Sequence, residues 1–171
     1  MPAYIALLRA LNLMGTRGLP MTDLKSICED LGFQSVRTWI ASGNVVLKSR
    51  KSESAVKSTL EAALSKRMGR PVGVLVRTAP EIAAALAANP FPSNHNSHVM
   101  AIFLDVAPAA DALATLKNHT NEELRLGLRE IYVYYPDGQG QSRLIIPALK
   151  HGTARNMNTI AKLAQMAAEL E

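Results

Sequence analysis

The spacing of apolar residues along the first half of the chain predicts alternating strands and helices. Residues 3–9, which are apolar up to a leucine pair and end in Arg9, predict a buried strand. Apolar positions at helical spacing follow Thr22, a candidate N-cap, and end at Gly32. A second helix is predicted from Ser52 or Ser54 to Gly69, and residues 72–77 predict another short strand.

The segment 37–47 is central to this prediction because it reads as strand, tight turn and strand. β-branched and aromatic residues flank a polar interruption made of Ser42, Gly43 and Asn44. Gly43 can adopt a positive φ without steric cost, and Asn44 tolerates it better than most residues. Residues 1–78 are therefore predicted to follow the order β-α-β-β-α-β, which is that of ferredoxin-like domains.

The second half repeats part of this pattern. Thr78 and Glu81 have the spacing of a capping box and predict a short helix. A strand over 99–106, a helix over 108–118, a strand over 123–128 for which a helix is the alternative, a strand over 131–135 and a final helix from Asn156 are expected next. The predicted fold class is α+β, with two ferredoxin-like halves (residues 1–78 and 79–171), antiparallel sheets and helices packed on one face. The last helix is expected to dock at the junction of the halves.

Charge is distributed unevenly between these halves. Residues 1–78 contain twelve Lys and Arg against five Asp and Glu, a balance of +7, whereas residues 79–171 contain seven against nine, a balance of −2. A basic half favours an anionic partner, and we predict a nucleotide or nucleic acid there. A solvated basic surface is the alternative explanation.

Composition also limits the compartment and the class of protein. The single cysteine, Cys28, excludes an internal disulfide and is typical of a reducing environment. The N-terminus has no basic leader followed by a long apolar segment, and no apolar run approaches the roughly 20 residues that a membrane helix needs. We expect a cytoplasmic protein that does not contact a membrane.

Three polar clusters interrupt the apolar elements and are candidates for a binding site. Turns and helix N-termini expose backbone N–H groups that can bind an anion, and an arginine adds a bidentate donor. Local capping and turn chemistry is the competing explanation for the same residues. The predicted ligand-binding residues are Arg9 and Asn12 in the first cluster, Ser42, Gly43 and Asn44 in the second, and Arg155 and Asn156 in the third, which leads into the last helix.

These clusters also carry a resemblance to a known family. The segments 7–12, 21–24, 42–46 and 153–159 resemble, in this order, motifs of domain of unknown function 1697. The resemblance implies a cytoplasmic, largely bacterial protein with two ferredoxin-like halves and no established activity, and it adds Thr153 to the motif positions. Ala10 and Met14 stand where the family usually has glycine, which would stiffen the first loop.

Other patterns carry less information about function. His95 and His98 are three residues apart, but no further ligand completes a metal set, so we predict no metal and no cofactor. Ser42 is not in a nucleophile motif, and no catalytic residue is assigned. Tyr132 and Tyr134 share one strand face and are interpreted as sheet-packing residues, although stacking on bases is an alternative. Glu122 and Glu123 are interpreted as a solvated pair.

The leading functional hypothesis is a protein that binds an anionic, nucleotide-like or nucleic-acid ligand in a cleft between the two halves. One alternative is an enzyme for a small phosphate- or carboxylate-bearing metabolite, with Arg9 and Arg155 orienting the substrate. Another is an interaction protein whose polar motifs only join the halves. The sequence does not indicate the oligomeric state.

Overall fold

The computed structural model describes residues 1–9, 18–40 and 43–171, and it has an α+β fold. The described residues form two four-stranded antiparallel sheets and four α-helices. They divide into two compact units, of which the first comprises Met1–Ala83 and Lys162–Glu171 and the second comprises Ala84–Ala161. The predicted boundary between residues 78 and 79 stays a prediction.

The first unit follows the element order expected from its sequence. Its sheet has the spatial order β2-β3-β1-β4, in which every neighbouring pair is antiparallel. The elements are β1 (Ala3–Leu8), α1 (Met21–Asp30), β2 (Gln34–Trp39), β3 (Asn44–Lys48), α2 (Glu53–Met68) and β4 (Val74–Thr78). The helix α3 (Ala79–Ala87) follows directly.

The core of this unit lies on one face of the sheet. Tyr4, Ala6 and Leu8 alternate along β1 and join a buried apolar cluster with the inward residues of both helices. In α2 these are Val56, Leu60 and Leu64, which are spaced at i, i+4 and i+8 along one helix face. Every residue of β1 is buried, so this strand is covered on both faces and reads as one continuous apolar run.

Local signals at the helix ends are mostly those expected. The Ser52 side chain accepts a hydrogen bond from the Ala55 N–H at 3.2 Å, and Gly69 ends α2 at φ +70°. Thr22 is not the N-cap of α1, because the helix begins one residue earlier, at Met21. The Pro20 carbonyl instead accepts the first hydrogen bonds, from the Asp23 and Leu24 N–H groups at 3.0 Å.

The sheet of the second unit has the same strand arrangement as the first, with its second, third, first and fourth strands side by side. Its sheet order is β6-β7-β5-β8, again antiparallel throughout. The strands are β5 (Val99–Phe103), β6 (Glu123–Leu126), β7 (Glu130–Tyr134) and β8 (Thr153–Asn156). The final helix, α4 (Met157–Leu170), begins in this unit, and its residues from Lys162 onward belong to the first.

Two sequence-based assignments in this unit are wrong. Residues 108–118 form turns rather than a helix, with hydrogen bonds from the Ala112 and Ala114 N–H groups to the carbonyls three residues earlier. A short segment cannot offset the cost of helix nucleation by propensity alone, so tertiary packing decides its conformation. Leu113 and Leu116 in this segment nevertheless pack against the buried cluster of the sheet. The strand predicted over 99–106 ends at Phe103.

Within the described residues, no helix is both long enough and apolar enough to cross a lipid bilayer.

Candidate functional site

The described residues of the first two polar clusters, Arg9, Gly43 and Asn44, lie at one end of the strands of the first sheet. Strands β1 and β3 are antiparallel neighbours, with Leu7 opposite Asn44, and the Leu8 N–H donates to the Gly43 carbonyl at 2.9 Å. This register confirms the expected neighbourhood of the end of β1 and the start of β3. Arg9, the residue after β1, is thereby brought beside the turn that contains Gly43.

Gly43 has the backbone conformation predicted for it. Its φ is +86°, in the region that favours glycine, and it directly precedes β3. Ile40, on the other side of the turn, also has a positive φ, of +49°. Positive φ is common for glycine but rare for a β-branched residue such as Ile40, so Ile40 has an unusual backbone conformation at this corner.

Asn44 has a structural contact that the sequence did not indicate. Its side chain is completely buried, and its Nδ2 donates to the Trp39 carbonyl at 2.9 Å. This bond ties the start of β3 to the end of β2 and stabilises the turn between them. The predicted ligand contact of Asn44 stays a prediction, as does that of Gly43.

Arg9 lies across the backbone of Gly73. Its N–H donates to the Gly73 carbonyl at 2.9 Å, and a Cβ added to Gly73 would come within 2.7 Å of the Arg9 Cδ. The absence of a side chain at residue 73 is therefore what lets the arginine stem lie there. The two remaining members of the first-unit clusters, Asn12 and Ser42, lie outside the described residues.

Arg155 lies in a different local structure from the one predicted. The segment 153–156 leads into α4 as expected, but it forms strand β8, in which Arg155 pairs with Ala101 of β5. The Arg155 Nη1 donates to the Thr153 Oγ1 at 2.6 Å and to the Ala154 carbonyl at 2.9 Å. Burial lowers the pKa of Arg155 to about 10, so the guanidinium stays charged at neutral pH.

Asn156 caps the last helix, as predicted. Its Oδ1 accepts a hydrogen bond from the Thr159 N–H at 2.9 Å, the third residue of α4. The side-chain oxygen therefore uses one of the N–H groups that could otherwise bind an anion. Arg155 and Asn156 belong to the second unit, and their part in a ligand site with residues of the first stays a prediction.

The positive charge of the first unit is only partly neutralised by ion pairs. Salt bridges join Arg37 to Glu169 at 2.7 Å, Lys57 to Glu61 at 2.9 Å and Arg67 to Asp23 at 2.9 Å. Among the described residues of the first unit, four exposed Lys and Arg side chains form no ion pair, namely Lys25, Arg50, Lys51 and Lys66. These four side chains are therefore available to an anionic partner.

The surroundings of Tyr132 and Glu122 in the second unit test how their roles were interpreted from the sequence. Tyr132 is buried and its hydroxyl donates to the Ala85 carbonyl at 2.6 Å, which confirms a packing role. The interpretation of Glu122 as solvated is wrong, because this side chain is only 5% exposed and accepts several hydrogen bonds. The run of Asn, His and Thr before Glu122, with Pro136-Asp137-Gly138 further along, was the available signal for this polar environment.

Comparisons with known proteins identify a family and a shared fold. The family model described as protein of unknown function (DUF1697) matches residues 1–132. The chain is similar in structure to a conserved bacterial protein from Streptococcus pneumoniae, with a TM-score of 0.77 and 20% sequence identity over 97% of this chain and 98% of that one. At this identity the similarity concerns the fold. No curated protein matches the sequence.

Proposed function

The chain belongs to the DUF1697 family of proteins of unknown function, and from this premise we propose that its first unit binds an anionic ligand of nucleotide type, free or as nucleic acid. The observation that carries the proposal is the position of Arg9 beside the Gly43 turn and across Gly73. An arginine held at a turn combines a charged bidentate donor with backbone N–H groups, which is the combination that binds phosphate.

The charge of the first unit as a whole supports the same ligand class. The exposed side chains of Lys25, Arg50, Lys51 and Lys66 add positive charge without acidic partners in the described ranges. A positive field raises the rate at which a polyanion meets the surface and contributes to its affinity. The ligand class therefore agrees with both the local geometry and the charge of the unit.

Further parts of this proposal rest on the sequence. Asn12, Ser42, Asn44, Arg155 and Asn156 are proposed contributors to binding. We also propose that both halves are ferredoxin-like in their sheet topology, since each sheet has the spatial order second, third, first and fourth strand. In the described residues of the second unit, turns and short 3-10 segments stand in place of the two helices that connect the strands of that fold. The proposed location is the cytoplasm of a bacterium.

A fluorescence titration tests the proposal. Labelled single-stranded DNA, labelled RNA and fluorescent mononucleotides are titrated with the protein at several salt concentrations. We expect binding whose affinity falls steeply with salt, because neutralised phosphates release counterions. Saturable mononucleotide binding without polymer binding would identify a free nucleotide as the ligand class. No binding of any probe at low salt would refute the proposal.

Arg9→Gln and Arg129→Gln form the matched pair of variants. Arg129 is an arginine of the second unit that donates to the Asp105 carbonyl. Arg9→Gln should weaken polymer binding and reduce the slope of log affinity against log salt by roughly one. Arg129→Gln should leave both quantities unchanged. Equal effects of the two substitutions would show that net charge, and not the Arg9 corner, determines binding.

A further inference from the structure

A polar cavity in the second unit shares no residue with the ligand site proposed for the first unit. It has a volume of about 380 Å³ and is lined by residues 118–122, 135–138 and 141–143. This volume falls within the range of small-molecule sites. All but two of the lining residues, Pro136 and Gly138, have polar side chains, so the cavity suits a polar ligand rather than an apolar one.

A buried carboxylate forms part of the cavity wall. Glu122 is 5% exposed, and its carboxylate accepts hydrogen bonds from the Ser142 Oγ at 2.5 Å and the Thr120 N–H at 2.9 Å. The Ser142 bond is the main reason why the pKa of Glu122 is lowered, and the Thr120 bond adds to it. Glu122 is therefore a fixed negative charge at neutral pH.

Hydrogen bonds hold the surrounding residues in place. The His119 Nε2 is 2.7 Å from the Glu122 carbonyl, which can only accept, so this nitrogen carries the proton. The Asn121 Nδ2 donates to the Asp137 Oδ2 at 2.9 Å and joins the 118–122 segment to the turn at 136–138. The cavity is thus organised before any ligand binds, which reduces the entropic cost of binding.

The charges in the wall are mixed, and their signs restrict the ligand. Glu122 and Asp137 are acidic, whereas Arg143 is an exposed cation that forms no ion pair or hydrogen bond with the described residues. The contacts of Glu122 and Asp137 are explained if these two side chains only hold the surrounding segments together. That structural role provides no partner for Arg143. A simple anion would be repelled by the two carboxylates, and a simple cation would leave Arg143 unused.

We propose that this cavity binds a small zwitterion of amino-acid type. Its ammonium group interacts with the carboxylates of Glu122 and Asp137, and its carboxylate accepts hydrogen bonds from the Arg143 guanidinium. Each end of the ligand is then matched by a group of opposite charge, and charge-assisted hydrogen bonds are the stronger kind. This site is independent of the anionic-ligand site proposed for the first unit.

Thermal shift measurements followed by calorimetric titration test this proposal on the full chain. The probes are the standard amino acids at about 10 mM, a concentration at which even weak binders raise the melting temperature. For each amino acid that binds, the amine without its carboxylate and the acid without its ammonium group are titrated too. We expect one or more amino acids to bind, and both truncated analogues to bind at least about tenfold more weakly.

Two charge-neutralising variants locate the site. Asp137→Asn and Arg143→Gln should each weaken amino-acid binding about tenfold. Asp111→Asn and Arg50→Gln are the controls, since they remove the same charges from exposed positions outside the cavity. Arg143→Gln should not weaken binding of the amine analogue further. The proposal is overturned if no amino acid binds, or if both cavity variants bind like the wild type.

Discussion

At the scale of single residues, the turn between β2 and β3 depends on a backbone angle that few side chains accept. Gly43 has φ +86° and lies buried beside the end of β1. Asn44 follows it and closes the turn through its bond to the Trp39 carbonyl. The glycine and the asparagine therefore share one structural task, in which the first provides the conformation and the second satisfies a backbone carbonyl.

Substitutions at Gly43 should separate the effect of φ from the effect of added volume. We expect Gly43→Val to lower the free energy of unfolding by about 1–3 kcal/mol more than Gly43→Asn does, because a β-branched residue resists positive φ and asparagine tolerates it. Urea denaturation followed by Trp39 fluorescence measures both. Equal losses would mean that packing, and not backbone conformation, determines the cost.

At the scale of elements, the start of α4 depends on its N-cap. The Oδ1 of Asn156 accepts the Thr159 N–H, and Asn158, two residues further on, is exposed. Asn156→Ala should reduce the free energy of unfolding by about 1 kcal/mol, whereas Asn156→Asp should retain most of it. Denaturant unfolding provides the measurement. The matched control, Asn158→Ala, should be neutral, and a loss as large as that of Asn156→Ala would argue against capping.

A second prediction at this scale concerns the ion pair between β2 and α4. The hydrogen bond from Arg37 is the main reason why the pKa of Glu169 is lowered in the folded chain. A carboxyl group whose pKa is lower in the folded state than in the unfolded state stabilises the protein at pH values above its unfolded pKa. This contribution is lost as the pH falls through its folded pKa. Glu169→Gln should therefore slightly reduce the melting temperature at pH 7 but not at pH values below the folded pKa, where the carboxyl group is protonated in both states.

The control for this pair is Glu171→Gln, which removes the same charge from an exposed terminal residue. Its melting temperature should follow that of the wild type at each pH. Because both partners of the Arg37–Glu169 pair are partly exposed, the effect should also shrink in 1 M salt, where the screening length is about 3 Å. A Glu169→Gln difference that persists at low pH and high salt would mean that packing, not charge, links the two residues.

At the scale of the whole molecule, the two ends of the sequence contribute to one unit. Lys162–Glu171 belong with Met1–Ala83, and Lys162 lies 4.9 Å from the centre of the Trp39 ring. Leu163, Met166 and Ala167 on this segment are almost completely buried. The first unit is therefore incomplete until the last residues of the chain have been added.

Deleting residues 162–171 should destabilise the first unit and change the emission of Trp39, the single tryptophan of the chain. The loss of buried apolar side chains at about 25 cal/mol per Å² is the main reason. The full-length double variant Lys162→Gln, Glu169→Gln is the control, since it removes the charged contacts and keeps the apolar ones. A truncated chain with the melting temperature and emission of the wild type would contradict this assignment.

Several local features of the fold and of the proposed sites could be predicted from residues that are neighbours in the sequence. The positive φ of Gly43, the capping by Asn156 and the Thr78–Glu81 capping box, with bonds of 2.9 and 3.3 Å, all depend on residues close together in the chain. The burial of Glu122 could not be predicted in this way. Its main partner, Ser142, is twenty residues away and reaches it only through the fold.

The sequence by itself determined the element order of the first unit, the α+β class and the apolar faces of its helices, because periodicity and capping are local properties. The tertiary structure decided that residues 153–156 form an edge strand, that 108–118 do not form a helix and that the final residues complete the first unit. In each case the conformation depends on hydrogen bonds and apolar surface supplied by distant parts of the chain, and these outweigh local propensity.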